Sequence, residues 1–289
     1  MLDRPADTTE FIRLVRSEGK RLYRELPWRD TFDPYLVLCS EVMLQQTQVS
    51  RVLIYWPRWI LAFPTVDALA AASVADVLEL WQGLGYNRRA LALKKSAEIC
   101  SDQYSGKIPE DYEQLLTLPG VGPVTAAGVC VFAFNRLQVY LETNVRTVFI
   151  HHFFAGQDEI RDKEIIPLVE ASCDRSDPRS WYYALLDYGN YLKRVLPNPS
   201  RRSKHHSRQS AFDGSVRQKR AFLLREVLAK PQITSDTMLE SLNLHELQAG
   251  RAVVSRRDVE EILAALSAEG FLIAGDQDRW IIGDQAAQA

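Results

Sequence analysis

Residues Leu118 to Gly128 read LPGVGPVTAAG, a Pro-Gly-Val-Gly corner set between two apolar segments. Upstream, PEDYEQLLTL opens with Pro109, which suits a first helical turn. Downstream, Val124 to Phe134 forms an apolar helical run. The corner therefore joins two helices, and the spacing predicts a helix-hairpin-helix over 110–134. Gly120 and Gly122 have no Cβ, so the hairpin backbone can adopt left-handed dihedrals and approach another backbone closely. The helix beyond them aims bare N–H groups and the positive end of its dipole at the hairpin mouth, a grip for phosphate that ignores base sequence. An ordinary turn would use the same glycines, so the hairpin alone leaves its ligand open.

Outward from the hairpin, most of the chain reads as helix. TTEFIRLVRSEGKRLYREL places Ile12, Val15, Leu22 and Tyr23 on one face, with Thr8 or Thr9 as cap. DPYLVLCSEVMLQQTQVSRVLIYWPRWILAF starts at Asp-Pro and stays apolar on a helical period as far as Pro64. VDALAAASVADVLELWQGLG holds two short helical runs, and WYYALLDYGNYLKRVL a long one. Beyond Pro197 the stretch 197–211 reads as a basic linker. After it come SVRQKRAFLLREVLA, a short helix in ITSDTMLESLN capped by Ser235, and SRRDVEEILAALSAEG with a capping-box pair Ser255…Asp258. Two strands, FLIA and RWII, flank the turn GDQD. Three helices and a hairpin are the order of a winged-helix module over 212–289, which most often touches DNA and elsewhere serves as a protein contact.

The 289 residues suffice for two or three modest domains, and 35 Lys and Arg balance 37 Asp and Glu. That balance hides an asymmetry. Between Lys193 and Arg220 the bases Lys193, Arg194, Arg201, Arg202, Lys204, Arg208, Arg217, Lys219 and Arg220 face only Asp213. Such a block suits a polyanion or a solvated linker. Cys39, Cys100, Cys130 and Cys173 are too far apart for a zinc or iron–sulfur loop and read as buried thiols of a reducing compartment. No apolar window approaches the roughly 20 residues that span a bilayer, and the N-terminal stretch lacks an apolar signal core. A cytoplasmic protein is expected.

SEVMLQQTQV ahead of the hairpin, LWQGLGYNRRA between, and LETNVRTVF after it make the chain resemble the helix-hairpin-helix DNA glycosylases of the endonuclease III superfamily, nearest to the MutY-type adenine glycosylases. The resemblance runs from about Leu26 to Val195. It implies a mainly α fold: a six-helix barrel domain over 31–139, and a second helical domain built from 1–30 and 140–196, with a flipped base entering between them. It also implies that Glu41 is the acid that protonates the departing base. A carboxyl in an apolar pocket can hold a proton near neutral pH. The family's aspartate before the Asn-Val pair falls on Glu142, whose charge would steady a cationic sugar from a stem one methylene longer. Asp187 matches a further acidic position at the pocket edge.

The same likeness places Trp28, Arg29, Val49 and Val124 at the base pocket. Relatives that nick the strand carry a lysine where Val124 stands, so simple hydrolysis is expected. Gln46 and Tyr86 match residues that wedge into the duplex, and Gln45, Gly120, Gly122 and Thr125 complete its grip. Arg201, Arg202 and Lys204 stand where most relatives hold four cysteines around an iron cluster. The expectation is phosphate contacts from these bases and no cluster. A monovalent cation on the carbonyls of Leu118 and Val121 is the one further group implied. Expected is a monomeric enzyme of base-excision repair acting on double-stranded DNA, excising adenine opposite 8-oxoguanine or guanine. Uracil, mismatched thymine or another damaged base is the alternative within the class, and a non-catalytic, structure-specific DNA binder the alternative outside it.

Overall fold

A computed structural model describes residues 8–206 and 211–283. They divide into two compact units, one of residues 8–45 and 102–206, the other of 46–101 and 211–283. The middle of the expected linker, 207–210, lies outside the described residues. In chain order α1 (Thr8–Leu22) and α2 (Pro34–Leu44) belong to the first unit, then α3 (Val49–Ala62), α4 (Val66–Ala71), α5 (Val74–Trp81) and α6 (Arg88–Gln103) follow, of which all but the last turn of α6 belongs to the second. The chain returns to the first unit with α7 (Tyr112–Leu116), α8 (Pro123–Phe134), α9 (Thr143–Phe153), α10 (Asp162–Ser172) and α11 (Pro178–Val195). The second unit is completed by α12 (Val216–Ala229), β1 (Ile233–Thr234), α13 (Ser235–Gln248), α14 (Arg256–Ala268), β2 (Leu272–Ala274) and β3 (Arg279–Ile282). None of the described helices is long and apolar enough to cross a membrane.

The first unit is organised around α11, which packs on α1 and α9. Glycines set how closely. A Cβ on Gly19 of α1 would strike Ala184, and one on Gly189 of α11 would strike the carbonyl of Asn144 at the start of α9. The inward face of α1 is consequently Phe11, Val15 and Gly19, one residue round from the face expected, and Tyr23 is half exposed. Phe11 meets Phe149, Phe153 and Trp181 at ring separations of 4.9–6.3 Å, an aromatic core that joins the start of the unit to its end. Buried Arg179 of α11 then ties three segments together, donating to the carbonyls of Phe132, Arg29 and Thr31.

The apolar run 33–63 predicts one helix, yet the chain breaks at 45–48, where Gln46 takes a left-handed φ of 53°. Hydrophobic period cannot register such a break, because both halves are helical and apolar. Arg202 is a second correction. It lies in a short turn of 3-10 helix, and its guanidinium donates to the carbonyls of Ile150, Phe154 and Gln157 at the end of α9. These carbonyls lie at and just beyond the C-terminus of α9, so the Arg202 guanidinium braces that helix end.

The C-terminal segment forms an antiparallel sheet in the order β1-β3-β2, with Ile233 opposite Trp280 and Leu272 opposite Ile282. Helix, strand, helix, helix and hairpin are a winged-helix arrangement. β1, only two residues long, is missed by sequence pattern. The cap of α13 is Thr234, one residue before the serine expected; Ser235 instead donates to Asp278 at 2.7 Å. Gly189→Ala should cost about 1–3 kcal/mol in urea unfolding, because the new methyl meets backbone that cannot rotate away; unchanged stability would contradict this packing.

Candidate active site

Helix α8 carries the hairpin at one end and meets the expected acid in its middle. Gly120 has φ 74°, a conformation that favours glycine, and Gly122 is the N-cap residue of α8 with no side-chain cap. A Cβ on Gly122 would meet nothing within 4 Å, so the mouth is open on that side. Thr125 is buried and its hydroxyl accepts from Gln45 at 2.9 Å, which links the end of α2 to the first turn of α8. Leu118 and Val121 are buried too, and the Leu118 carbonyl accepts the Val121 amide at 3.1 Å. Val124 is 39% exposed and brings no amine.

One turn further along α8, Gly128 makes room for Glu41 of α2. A Cβ there would overlap the Glu41 carboxyl and sit 3.1 Å from the Tyr140 ring. Tyr140 donates its hydroxyl to Oε2 of Glu41 at 3.2 Å. The tyrosine is itself held in place: its amide donates to the hydroxyl of Tyr182 at 3.1 Å, and that hydroxyl donates to the Gln138 carbonyl at 2.8 Å. Phe132 stacks on Tyr183 at 4.6 Å and meets Tyr140 edge-on at 5.1 Å. The Glu41 carboxyl is pushed up to about 8, first by desolvation and further by the nearby Glu142, with the Tyr140 hydrogen bond pulling the other way.

Glu142 lies in the same region under different conditions. It is the N-cap of α9, with Oε1 accepting from the amides of Asn144 at 2.5 Å and Val145 at 2.9 Å, and Oε2 accepting from Asn144 Nδ2 at 3.2 Å. Burial raises this carboxyl, but the amide bonds, Lys193 and Arg146 all favour its charge. Lys193 is lowered by burial and held up by Glu142 in return. Three N–H donors, a helix N-terminus and two cations favour the anion at Glu142, whereas Glu41 has one hydroxyl and a desolvating wall. Burial raises both acids, but Glu142 is held back by amides and cations where Glu41 has a single hydroxyl. Both residues stay partly accessible, which tempers the upward pull of burial without reversing it. Asn144 adds a buried Oδ1 with no protein donor among the described residues.

Asp187 is corrected. It is buried, and Arg29 grips it with two bonds of 2.7 and 2.9 Å while Arg24 adds its side chain at 2.5 Å and its amide at 3.1 Å. A carboxylate held in this way joins the 24–29 segment to α11. Arg29, buried over the Tyr183 ring at 4.3 Å, is committed with it, and Trp28 is a core residue beside them. Sequence reasoning missed Tyr140, Gly128, Asn144 and Lys193. Only Asn144 left a signal, through the Asn-Val pair.

The other unit holds Gln46, Val49 and Tyr86. Val49 opens α3. Gln46 and Tyr86 are both non-glycine residues in left-handed backbone, with φ 53° and 51°. Each such residue costs on the order of 1–3 kcal/mol and persists where surrounding structure enforces it. Around Tyr86 the enforcement is visible: Arg89 donates to the carbonyls of Leu84 and Gly85, and Trp81 Nε1 donates to Gly85 at 3.0 Å. Among the bases of the basic stretch, Arg201 and Lys204 are exposed while Arg202 is committed. Arg202→Ala should therefore lower the melting temperature and leave the salt slope of duplex binding unchanged. Arg201→Ala and Lys204→Ala should flatten that slope by roughly 0.9 for each phosphate no longer neutralised.

The four cysteines sit singly in α2, α6 and α8 and just after α10, all buried, and none follows Cys173. They do not fit an iron cluster after α11. No cluster of three or more metal-ligating side chains occurs among the described residues.

Residues 39–171 match the family model of the HhH-GPD superfamily base excision DNA repair proteins. The chain is similar to an adenine DNA glycosylase of Mycobacterium tuberculosis, 46% identical over 130 residues that make up 45% of this chain and 43% of that one. It is also similar to the adenine DNA glycosylase of Rattus norvegicus, 38% identical over 196 residues, 64% of this chain and 38% of that one. The chain thus spans about half or less of the length of these relatives. Among solved structures, a thermostable thymine-DNA glycosylase superposes with a TM-score of 0.58 at 24% identity, covering 63% of this chain and 85% of that one. A non-covalent endonuclease III–DNA complex gives 0.55 at 18%, covering 64% and 86%. At those identities the structural likeness speaks for the fold. Hairpin and acids lie within the stretch 39–171 that matches the HhH-GPD superfamily base excision DNA repair proteins, and the fold is that of the superposed glycosylases.

Proposed function

We propose that the protein is a DNA glycosylase that hydrolyses the bond between deoxyribose and a mispaired adenine swung out of duplex DNA. The observation that carries this reading is the pair of acids near Tyr140, Glu41 set against Gly128 with one hydroxyl bonded to it and Glu142 held by three N–H donors at the start of α9. The names of the relatives favour adenine. Glu41 gives its proton to the base, so that the base departs neutral and the C1′–N bond breaks with its electrons on the base. Glu142 faces the positive charge left on the sugar. Water then adds through oxygen to C1′, and its proton passes to a carboxylate. Glu142 and Oδ1 of Asn144 together can orient that water. Val124 offers no amine for a Schiff base, which supports hydrolysis without strand cleavage. No iron cluster enters the scheme, and a monovalent cation at the hairpin would use the carbonyls of Leu118 and Val121. The uncapped start of α8, the exposed bases Arg201 and Lys204, and the left-handed Gln46 and Tyr86 support duplex DNA as the partner.

A panel of duplexes, each with one mismatch or lesion and then treated with hot alkali, tests the reading. Adenine release opposite guanine or 8-oxoguanine is expected; release of uracil or thymine would redirect the specificity, and no release from any duplex would refute the activity. Glu41→Gln should abolish release while duplex affinity persists. The same variant should gain stability relative to wild type as pH rises. A carboxyl raised in the folded state contributes stability that is complete below the unfolded value of 4.5 and is lost through about 8, a loss glutamine does not suffer. Melting curves at pH 5 and pH 8 read this directly. Tyr140→Phe removes a bond that lowers Glu41, so the alkaline limb of the pH–rate profile should move upward. An unmoved limb would show that the tyrosine only packs.

A further inference from the structure

Two guanidinium groups approach the exposed Tyr86, and two more, close to them in the chain, meet at one carboxylate. Arg89 approaches the Tyr86 ring at 5.5 Å, and Arg217, from the first turn of α12, donates to its hydroxyl at 2.6 Å with its guanidinium 5.4 Å from the ring centre. Arg88, at the start of α6, and Arg220 of α12 both reach Glu269 at the end of α14 with bonds of 2.6 Å. The C-terminal module therefore brings Arg217 to the ring of Tyr86 and joins Arg220 to Arg88 through Glu269. Arg88 keeps most of its side chain, 74%, in solvent although it is paired.

The module's other helix tells the opposite story. In a winged-helix order α14 is the helix offered to a DNA groove. Here Arg256 and Arg257 are set against Asp258, Glu260 and Glu261 in the same helix. Arg256 is further bonded to Asp236, and Arg257 to Glu261 at 2.9 Å. A net negative helix with its arginines neutralised repels a polyanion, whereas α12 carries Arg217, Lys219, Arg220 and Arg225 against Glu226 alone. An aromatic ring interleaved with guanidinium groups is a surface that suits nucleic acid, through phosphate contacts and stacking.

We infer that the C-terminal module meets the phosphate backbone of duplex DNA through the Arg217 edge of α12, beside Tyr86, and not through α14. The inference rests on the proposal that DNA is the substrate, and it gives the module a part in holding it. Residues 211–283 lie beyond the stretch matched to the family, so nothing in the matched domain supplies the bases of α12.

The test uses the full chain and a labelled, fully paired duplex, with affinity followed by anisotropy across a potassium chloride series. Arg217→Ala and Arg88→Ala should each flatten the dependence of log affinity on log salt by roughly 0.9. Arg217→Lys, which keeps the charge, should restore the wild-type slope, and Tyr86→Phe should leave it unchanged. The double variant Arg256→Ala/Arg257→Ala should bind with the wild-type slope. Flattening in that double variant with none in the α12 variants would overturn the inference, as would wild-type slopes throughout. Circular dichroism melts identify any variant that unfolds, and Arg217→Gln then replaces Arg217→Ala. Base release from the mismatch panel is scored separately, so an inactive protein with the expected slopes would sink the enzymatic reading and spare this one.

Discussion

The site depends on a carboxyl group lodged against a helix at the one place where the helix has no side chain. Glu41 reaches the surface of α8 at Gly128, and Tyr140 closes over it with a hydroxyl. A carboxylate there would give up most of its hydration for a single hydrogen bond, so the neutral acid is the easier state to bury. That imbalance is what raises an ordinary side chain to about 8. Any larger residue at 128 would push Glu41 back toward water and its usual acidity.

Around this contact the first unit is braced from several directions. The same helix that accommodates Glu41 begins at the hairpin and ends at Asn135, a left-handed cap whose side chain accepts the Arg179 amide. Arg179 holds the 29–31 segment, and Asp187 one helical face further on holds Arg24 and Arg29. Buried ion pairs of this kind add little net stability, because desolvation offsets attraction. They do fix directions: the guanidinium fork admits few geometries, and the segment preceding α2 is thereby aimed.

Much of this was legible in the chain itself. Proline and glycine announced the hairpin because their backbone preferences are local, and the helices of the C-terminal module were announced by capping residues and period. The two principal acids could be placed only through resemblance to a family, since an isolated glutamate in a helix carries no mark of its environment. Asp187 illustrates the limit. The resemblance puts it at a pocket edge, but its capture by two arginines depends on residues 158 and 163 positions away. Tyr140 escaped for the same reason: its partner lies 99 positions earlier. Arg202 looked like its neighbours in a basic run, and only the end of α9 reveals which of the three is spoken for. Left-handed turns at glutamine and tyrosine leave no compositional trace, because these residues seldom adopt them.

Glu142 has one further consequence. Its oxygens button down the first turn of α9 while Lys193 and Arg146 act on the same carboxyl, so a single side chain answers to two masters. The carboxyl folds back onto its own helix, which fastens it to backbone instead of leaving it on a swinging arm. Rigidity of the scaffold and readiness for reaction thus become one property here, and drift at this position has to satisfy both together.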